Sequence, residues 1–216
     1  MEHVADESDR HVVGRLEAFS DVVIGFSLAE VSFNLVVPRD ALALFVPVPI
    51  PLIAFGVTFL LVSVMWWAHH RLFATYFVPT RLNIVLHFLS LAGVTFLVYS
   101  LQVWLHATTH RGLAYAMYTG SLAWVIGTNA LLTYRGILLR GSKMPPQLAS
   151  RGKWRALRMS VMALALAVSA AIDATLGELT DALNGLVVVA LLLMVALRLI
   201  QARRSAAAVS PPGTRP

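Results

Sequence analysis

The chain has 216 residues, of which 58% are hydrophobic and only 13% charged, with a formal net charge of +6 and no cysteine. Soluble domains carry roughly 25% charged residues, so this composition belongs to the membrane class. The missing thiols exclude disulfides and thiolate metal sites, and the positive surplus sits between apolar runs rather than in a patch suited to nucleic acid.

Residues 1–11 form an acidic leader, Met1-Glu2-His3-Val4-Ala5-Asp6-Glu7-Ser8-Asp9 at its start, without the basic n-region and short apolar stretch of a signal peptide. The first predicted span runs from about Val12 to Val37 and is ended by Pro38-Arg39-Asp40. An apolar loop punctuated by Pro47, Pro49 and Pro51 leads to the second, about Leu52 to Ala68, which closes in Trp66-Trp67, residues suited to an interfacial belt. The third is read at about Leu82 to Leu105 and the fourth at about Leu113 to Tyr134. A basic loop from Arg135 to Arg158 follows, with Gly141-Ser142 and Pro145-Pro146 as breakers. The fifth span, Met159 to about Leu176, carries a stripe of Ala163, Ala167, Ala170, Ala171 and Ala174 that would let helices approach closely. A sixth, about Leu183 to Ile200, is nearly pure Leu, Val and Ala, and the Pro-rich tail 205–216 is predicted to be disordered.

The predicted fold is therefore an all-α integral membrane protein, with six transmembrane helices in residues 12–204. Charge sorting tests that count. Fifteen of the 17 lysines and arginines fall on one side of a six-span topology, and only Arg39 and Arg111 on the other. By the positive-inside rule both termini are cytoplasmic, the basic segments lie beside anionic lipid, and the expected location is the inner (plasma) membrane as a multi-pass protein.

The first span departs from a uniformly apolar lipid-facing helix. Glu30 lies at membrane depth, where an ionisable group costs a few kcal/mol unless it meets water or a partner, so such residues mark ion paths or proton relays. Ser27, Glu30 and Asn34 are spaced by three and four, which stacks them along one side of a helix. No basic residue in the later spans sits at a matching depth to pair with Glu30.

Two motifs carry a family likeness. Arg15-Leu16-Glu17-Ala18-Phe19-Ser20-Asp21 resembles the Arg-x-x-x-Phe-Ser-Asp signature that opens the first helix of the transmembrane protein 175 family, potassium-permeable channels of bacteria, archaea and animal lysosomes. The close of the second span, with Trp66 followed by His69-His70-Arg71-Leu72-Phe73, is similar to that family's Trp-x-x-His-His-Arg-Leu-Phe pattern. The resemblance implies a homotetramer in the lipid bilayer, with the first helix of each subunit lining a central pore and no carbonyl-lined pore loop. It places the constriction at Phe26, Glu30 and Phe33 and a usually hydroxyl-bearing position at Ala29; Asn34, one turn beyond Glu30, either widens a polar mouth or bonds a neighbouring helix. It implies no cofactor beyond the permeant ion, potassium.

The chain departs from the family pattern at three of these positions. Glu30 stands where an apolar residue is usual, Phe26 where Ile is usual, and Ala29 lacks a hydroxyl. A Phe ring can still close a pore by dewetting. A ring of four Glu30 carboxylates would attract cations, repel anions and titrate as a coupled unit, giving weaker potassium selectivity and a conductance that falls at acid pH.

For the signature itself two arrangements fit. Arg15, Phe19, Ser20 and Asp21 either hold the first helix against its neighbours through Trp66, His70 and His87, or merely satisfy nearby backbone groups while Arg15 snorkels. Adjacent His69 and His70 diverge by about 100° on a helix and do not share a metal. His106 and His110, four apart, have metal-compatible spacing but no carboxylate or Cys nearby, and read as a surface pair. Asp173 is expected near the outer surface or in the alanine-rich contact. Nothing forms a set of nucleophile, base and orienter, and no Gly-rich phosphate loop follows a strand, so the chain is not read as an enzyme. Two rivals to a channel are a secondary transporter, with Glu30 as carrier, and a non-conducting membrane scaffold.

Overall fold

The computed structural model describes residues 2–33 and 50–176, all helical apart from short connections. Five helices follow in order: α1 (Glu2–Phe33), α2 (Ile50–Thr75), α3 (Arg81–His106), α4 (Arg111–Arg140) and α5 (Pro146–Leu176). Three of them, α3, α4 and α5, are long and apolar enough to cross a membrane. The predicted sixth span, the loop after the first, and the Pro-rich tail lie outside the described residues.

The helices run further than the breakers suggest. The acidic leader is already part of α1, and α2 continues through His69-His70-Arg71 to Thr75. Most of the segment read as a basic loop is helix too. Gly141, at φ 49° and ψ −126°, a combination that glycine adopts without the steric cost of a side chain, ends α4 and sends its N–H back to the Ile137 carbonyl. After a single 3-10 turn, Pro146 opens α5 at the first helical position, where its missing N–H is no loss. Pro145-Pro146 therefore starts a helix where the sequence reads only a break.

Packing joins α4 to α5 most extensively, then α3 to α4, with α1 resting on α2 and α3. A Cβ at Gly127 would sit 3.5 Å from the Ala163 Cβ, and one at Gly120 3.8 Å from that of Ala170, so small residues do bring α4 and α5 together. The predicted alanine stripe is split, however. Ala167, Ala171 and Ala174 are exposed, because the face that α5 buries carries Ala156, Met162, Leu166, Ser169 and Asp173.

Two apolar cores fill the bundle. The larger gathers Ile24, Val62, Val94, Leu97, Leu122 and Met162 from all five helices; the smaller gathers Leu72, Phe73, Phe77, Leu132 and Met144 at the basic end. Hydroxyls along α4 are satisfied by their own helix. Thr119, Ser121, Thr128 and Thr133 each donate to the carbonyl four residues earlier, at 2.6–3.0 Å, which lets α4 carry polar residues at depth.

At the basic end, Arg140 caps the C-terminus of α2, and Arg155 reaches a carbonyl further inside it. Arg140 donates to the Thr75 carbonyl at 2.8 Å and to that of Phe77 at 3.1 Å, and Arg155 donates to that of Ala68. Arg135 donates to Asn83 Oδ1 at 2.8 Å, and Asn83 in turn donates to the Val78 carbonyl at 2.9 Å. Cations at a helix C-terminus meet unpaired carbonyls and the negative end of the dipole. Arg140 and Arg155 thus hold backbone carbonyls and Arg135 a side-chain amide, contacts within the protein that the sequence reading of the basic segment does not include.

Candidate functional site

On α1, positions three and four apart separate two faces. Ser20, Ile24 and Ser27 are buried against the rest of the subunit. Phe19, Val22 and Phe26 lie on the other side, with Phe26 73% exposed, and Glu30 is exposed beside them. Ala29 is half-buried, α1 is described as far as Phe33, and Asn34 lies outside the described residues. Ser27 therefore does not share Glu30's surroundings. It is 3% exposed and donates to the Val23 carbonyl at 2.9 Å, so the grouping of Ser27 with Glu30 as one polar side does not hold.

The buried face is anchored through Ser20, which is fully enclosed. Its hydroxyl donates to the Leu16 carbonyl at 2.6 Å and lies 3.0 Å from His87 Nε2. A hydroxyl has one proton, so with that proton on Leu16 the oxygen accepts from His87, which therefore carries its hydrogen on Nε2. The His87 ring is boxed by aromatic groups: His69 at 5.1 Å and nearly parallel, Phe73 at 5.0 Å and edge-on, Phe77 at 6.0 Å and Phe88 at 5.6 Å. Phe19 reaches Phe88 edge-on at 5.8 Å.

A second, more exposed set of contacts joins α1 to α2. Trp66 Nε1 donates to Asp21 Oδ1 at 2.7 Å, and His70 Nδ1 lies 2.8 Å from Glu17 Oε1. Glu17 and Asp21 are one turn apart, as are Trp66 and His70, so the helices present matching pairs in antiparallel order. The Trp66 and His70 rings stack at 6.0 Å. Among the signature residues the structure brings together Phe19, Ser20 and Asp21 with Trp66, His70 and His87. Arg15 is exposed, and the Asp21 carboxylate is held by the Trp66 indole.

His69 and His70 do diverge. His69 is buried against His87, while His70 points to Glu17. Sequence reasoning left out Glu17 and His69 as site residues. The four-residue spacing of Glu17 and Asp21, equal to that of Trp66 and His70, is the signal that could have found the first. His106 Nδ1 lies 2.9 Å from the Gln102 carbonyl, and no group of three potential metal ligands occurs among the described residues. Asp173 is buried on α5.

Helices of membrane-spanning length and apolarity, packed as a bundle, define a multi-pass membrane protein. Residues 15–97, from the signature through most of α3, match the family model described as the endosomal/lysosomal potassium channel TMEM175. The fold is similar to the crystal structure of a Thr-to-Ala variant of the potassium channel MtTMEM175 in complex with a nanobody–MBP fusion protein. That likeness has a TM-score of 0.62 at 16% identity and covers 89% of this chain and 93% of the other. No curated protein matches the sequence.

Proposed function

We propose that the chain is the subunit of a cation channel, with potassium as the expected permeant ion, assembled as a homotetramer in the plasma membrane around a pore lined by α1. The observation that carries this reading is the division of α1: one face is pinned by Ser20 and Ile24 into the subunit, and the opposite face, with Phe26 and Glu30, is left uncovered by it. The family description and the similar solved structure, both of potassium channels, support the same reading.

In this arrangement Phe26 and Phe33 supply apolar rings that narrow the path, Ala29 leaves room between them, and Glu30 places a carboxylate on the ion's route, with Asn34 at the mouth beyond. Apolar constrictions gate by expelling water, and a carboxylate ring raises the local cation concentration. Protonation of the ring removes that attraction, so cation conductance falls as the pH is lowered.

The test is ion flux from purified protein in liposomes, under a potassium gradient and then a sodium gradient, with Glu30→Gln alongside. Wild type is expected to pass potassium in preference to sodium and to lose flux at acid pH. Glu30→Gln is expected to retain flux, change the potassium-to-sodium ratio and lose the acid response. Flux coupled to a proton gradient and saturating with substrate would instead indicate a transporter, and no flux from either protein at any pH would indicate a scaffold.

A further inference from the structure

Helix α5 presents one exposed face whose chemistry changes along its length. Ser150 and Lys153 are exposed near its start, and the same side continues in steps of three and four as Trp154, Leu157, Val161 and Leu164, all exposed as well. The apolar part, from Trp154 to Leu164, is about 15 Å of helix, half the hydrocarbon thickness of a bilayer. Trp154 stands where the polar part gives way to the apolar one, as an interfacial tryptophan does.

The charge on this end of the bundle is one-sided. Between residues 41 and 172 the sequence has ten lysines and arginines and no aspartate or glutamate. Arg135, Arg140 and Arg155 are engaged by groups of the protein. Lys143, Arg151 and Lys153 are exposed and have no partner among the described residues. Their counter-charge has to come from outside this stretch, and the same stretch of a second copy has no carboxylate to offer.

We propose that this face of α5 binds an anionic phospholipid of the leaflet at the basic end. The lipid phosphate accepts hydrogen bonds from Lys153 and Ser150, which lie three apart on one side of the helix, while Arg151 and Lys143 add positive charge. Beyond Trp154 an acyl chain runs along Leu157, Val161 and Leu164. That apolar stripe makes the ligand a lipid, because a free phosphate ion gains nothing from it. The proposal holds whether or not the protein conducts ions.

The test is native mass spectrometry of the full-length protein in detergent, after incubation with equal amounts of phosphatidylglycerol and phosphatidylcholine at a level that gives about one bound lipid per subunit. Wild type is expected to retain phosphatidylglycerol in preference. Lys153→Gln is expected to retain it about fivefold less, the effect of one cation beside an anionic headgroup. Arg111→Gln removes an exposed charge from the opposite end of α4 and should leave retention unchanged. Equal retention by wild type and Lys153→Gln, or an equal loss in Arg111→Gln, overturns the proposal. So does displacement of the lipid by soluble glycerol phosphate at the same concentration, which would mean a phosphate site without a lipid. A changed subunit number in Lys153→Gln overturns it as well, because a second copy would then occupy the face.

Discussion

Gly136→Ala is expected to be among the most damaging single substitutions in this chain, lowering the stability of the detergent-solubilised protein by about 3 kcal/mol, the upper part of the usual range for overpacking. A Cβ at this position on α4 would run into the backbone carbonyl of Tyr76, with the Tyr76 carbonyl carbon only 2.8 Å away. That carbonyl has little freedom to retreat. Arg140 holds the neighbouring carbonyls of Thr75 and Phe77, the N–H groups of Tyr76 and Phe77 both reach the Leu72 carbonyl, and the Tyr76 hydroxyl donates to the carbonyl of Leu148 at 3.4 Å. Gly127→Ala is the control. There the new Cβ meets Ala163 at 3.5 Å, an ordinary contact, and helix propensity favours Ala by up to about 1 kcal/mol. Unfolding curves of the two variants should therefore shift in opposite directions or by clearly different amounts. Equal stability of Gly136→Ala and wild type would mean that α4 and the end of α2 are not packed as described.

The second large effect is expected at His87. Its hydrogen bond to Ser20 contributes about 1 kcal/mol net, whereas deletion of a fully buried ring from a box of four aromatic groups costs about 3 kcal/mol or more. Packing therefore outweighs the bond. His87→Ala should lose about 3 kcal/mol, and His87→Phe, which keeps a ring among Phe73, Phe77 and Phe88, about 1 kcal/mol. Ser20 tolerates the second change because its proton is already on the Leu16 carbonyl. Equilibrium unfolding of the three proteins tests the order, and His87→Phe falling as far as His87→Ala would show that the hydrogen bond, not the ring, anchors α1.

The antiparallel ladder of Glu17 and Asp21 on Trp66 and His70 is a smaller matter for stability. The His70 side chain is 47% exposed, and exposed ion pairs contribute at most about 1 kcal/mol. Its value lies in setting the register of α1 against α2, and hence which α1 residues face away from the subunit.

What the sequence made legible follows from local chemistry. The Phe-Ser-Asp helix, the match at Trp66 and the histidines, and the divergence of His69 from His70 all depend on helix periodicity and motif alone. Periodicity could not say which face of α1 turns inward. Ser27 and Glu30 are close enough around the helix to read as one polar side, and only packing sends Ser27 to the core and leaves Glu30 exposed. The helices through the basic segment were hidden for a related reason: a proline at the first helical position and a proline in a loop look alike until the residues after it are seen to pack. The carbonyl partners of Arg140 and Arg155 join residues more than sixty positions apart, and no spacing rule reaches that far.

The central claim is that the Phe26 face of α1 lines the ion path, and the absence of native cysteine makes it directly testable. Phe26→Cys is compared with Leu164→Cys, whose α5 position is 67% exposed, by potassium flux in liposomes before and after a cationic thiol reagent. The account predicts that modification removes most of the flux of Phe26→Cys and leaves Leu164→Cys and the cysteine-free parent unchanged. A Phe26→Cys protein that conducts and whose flux survives complete modification would contradict it.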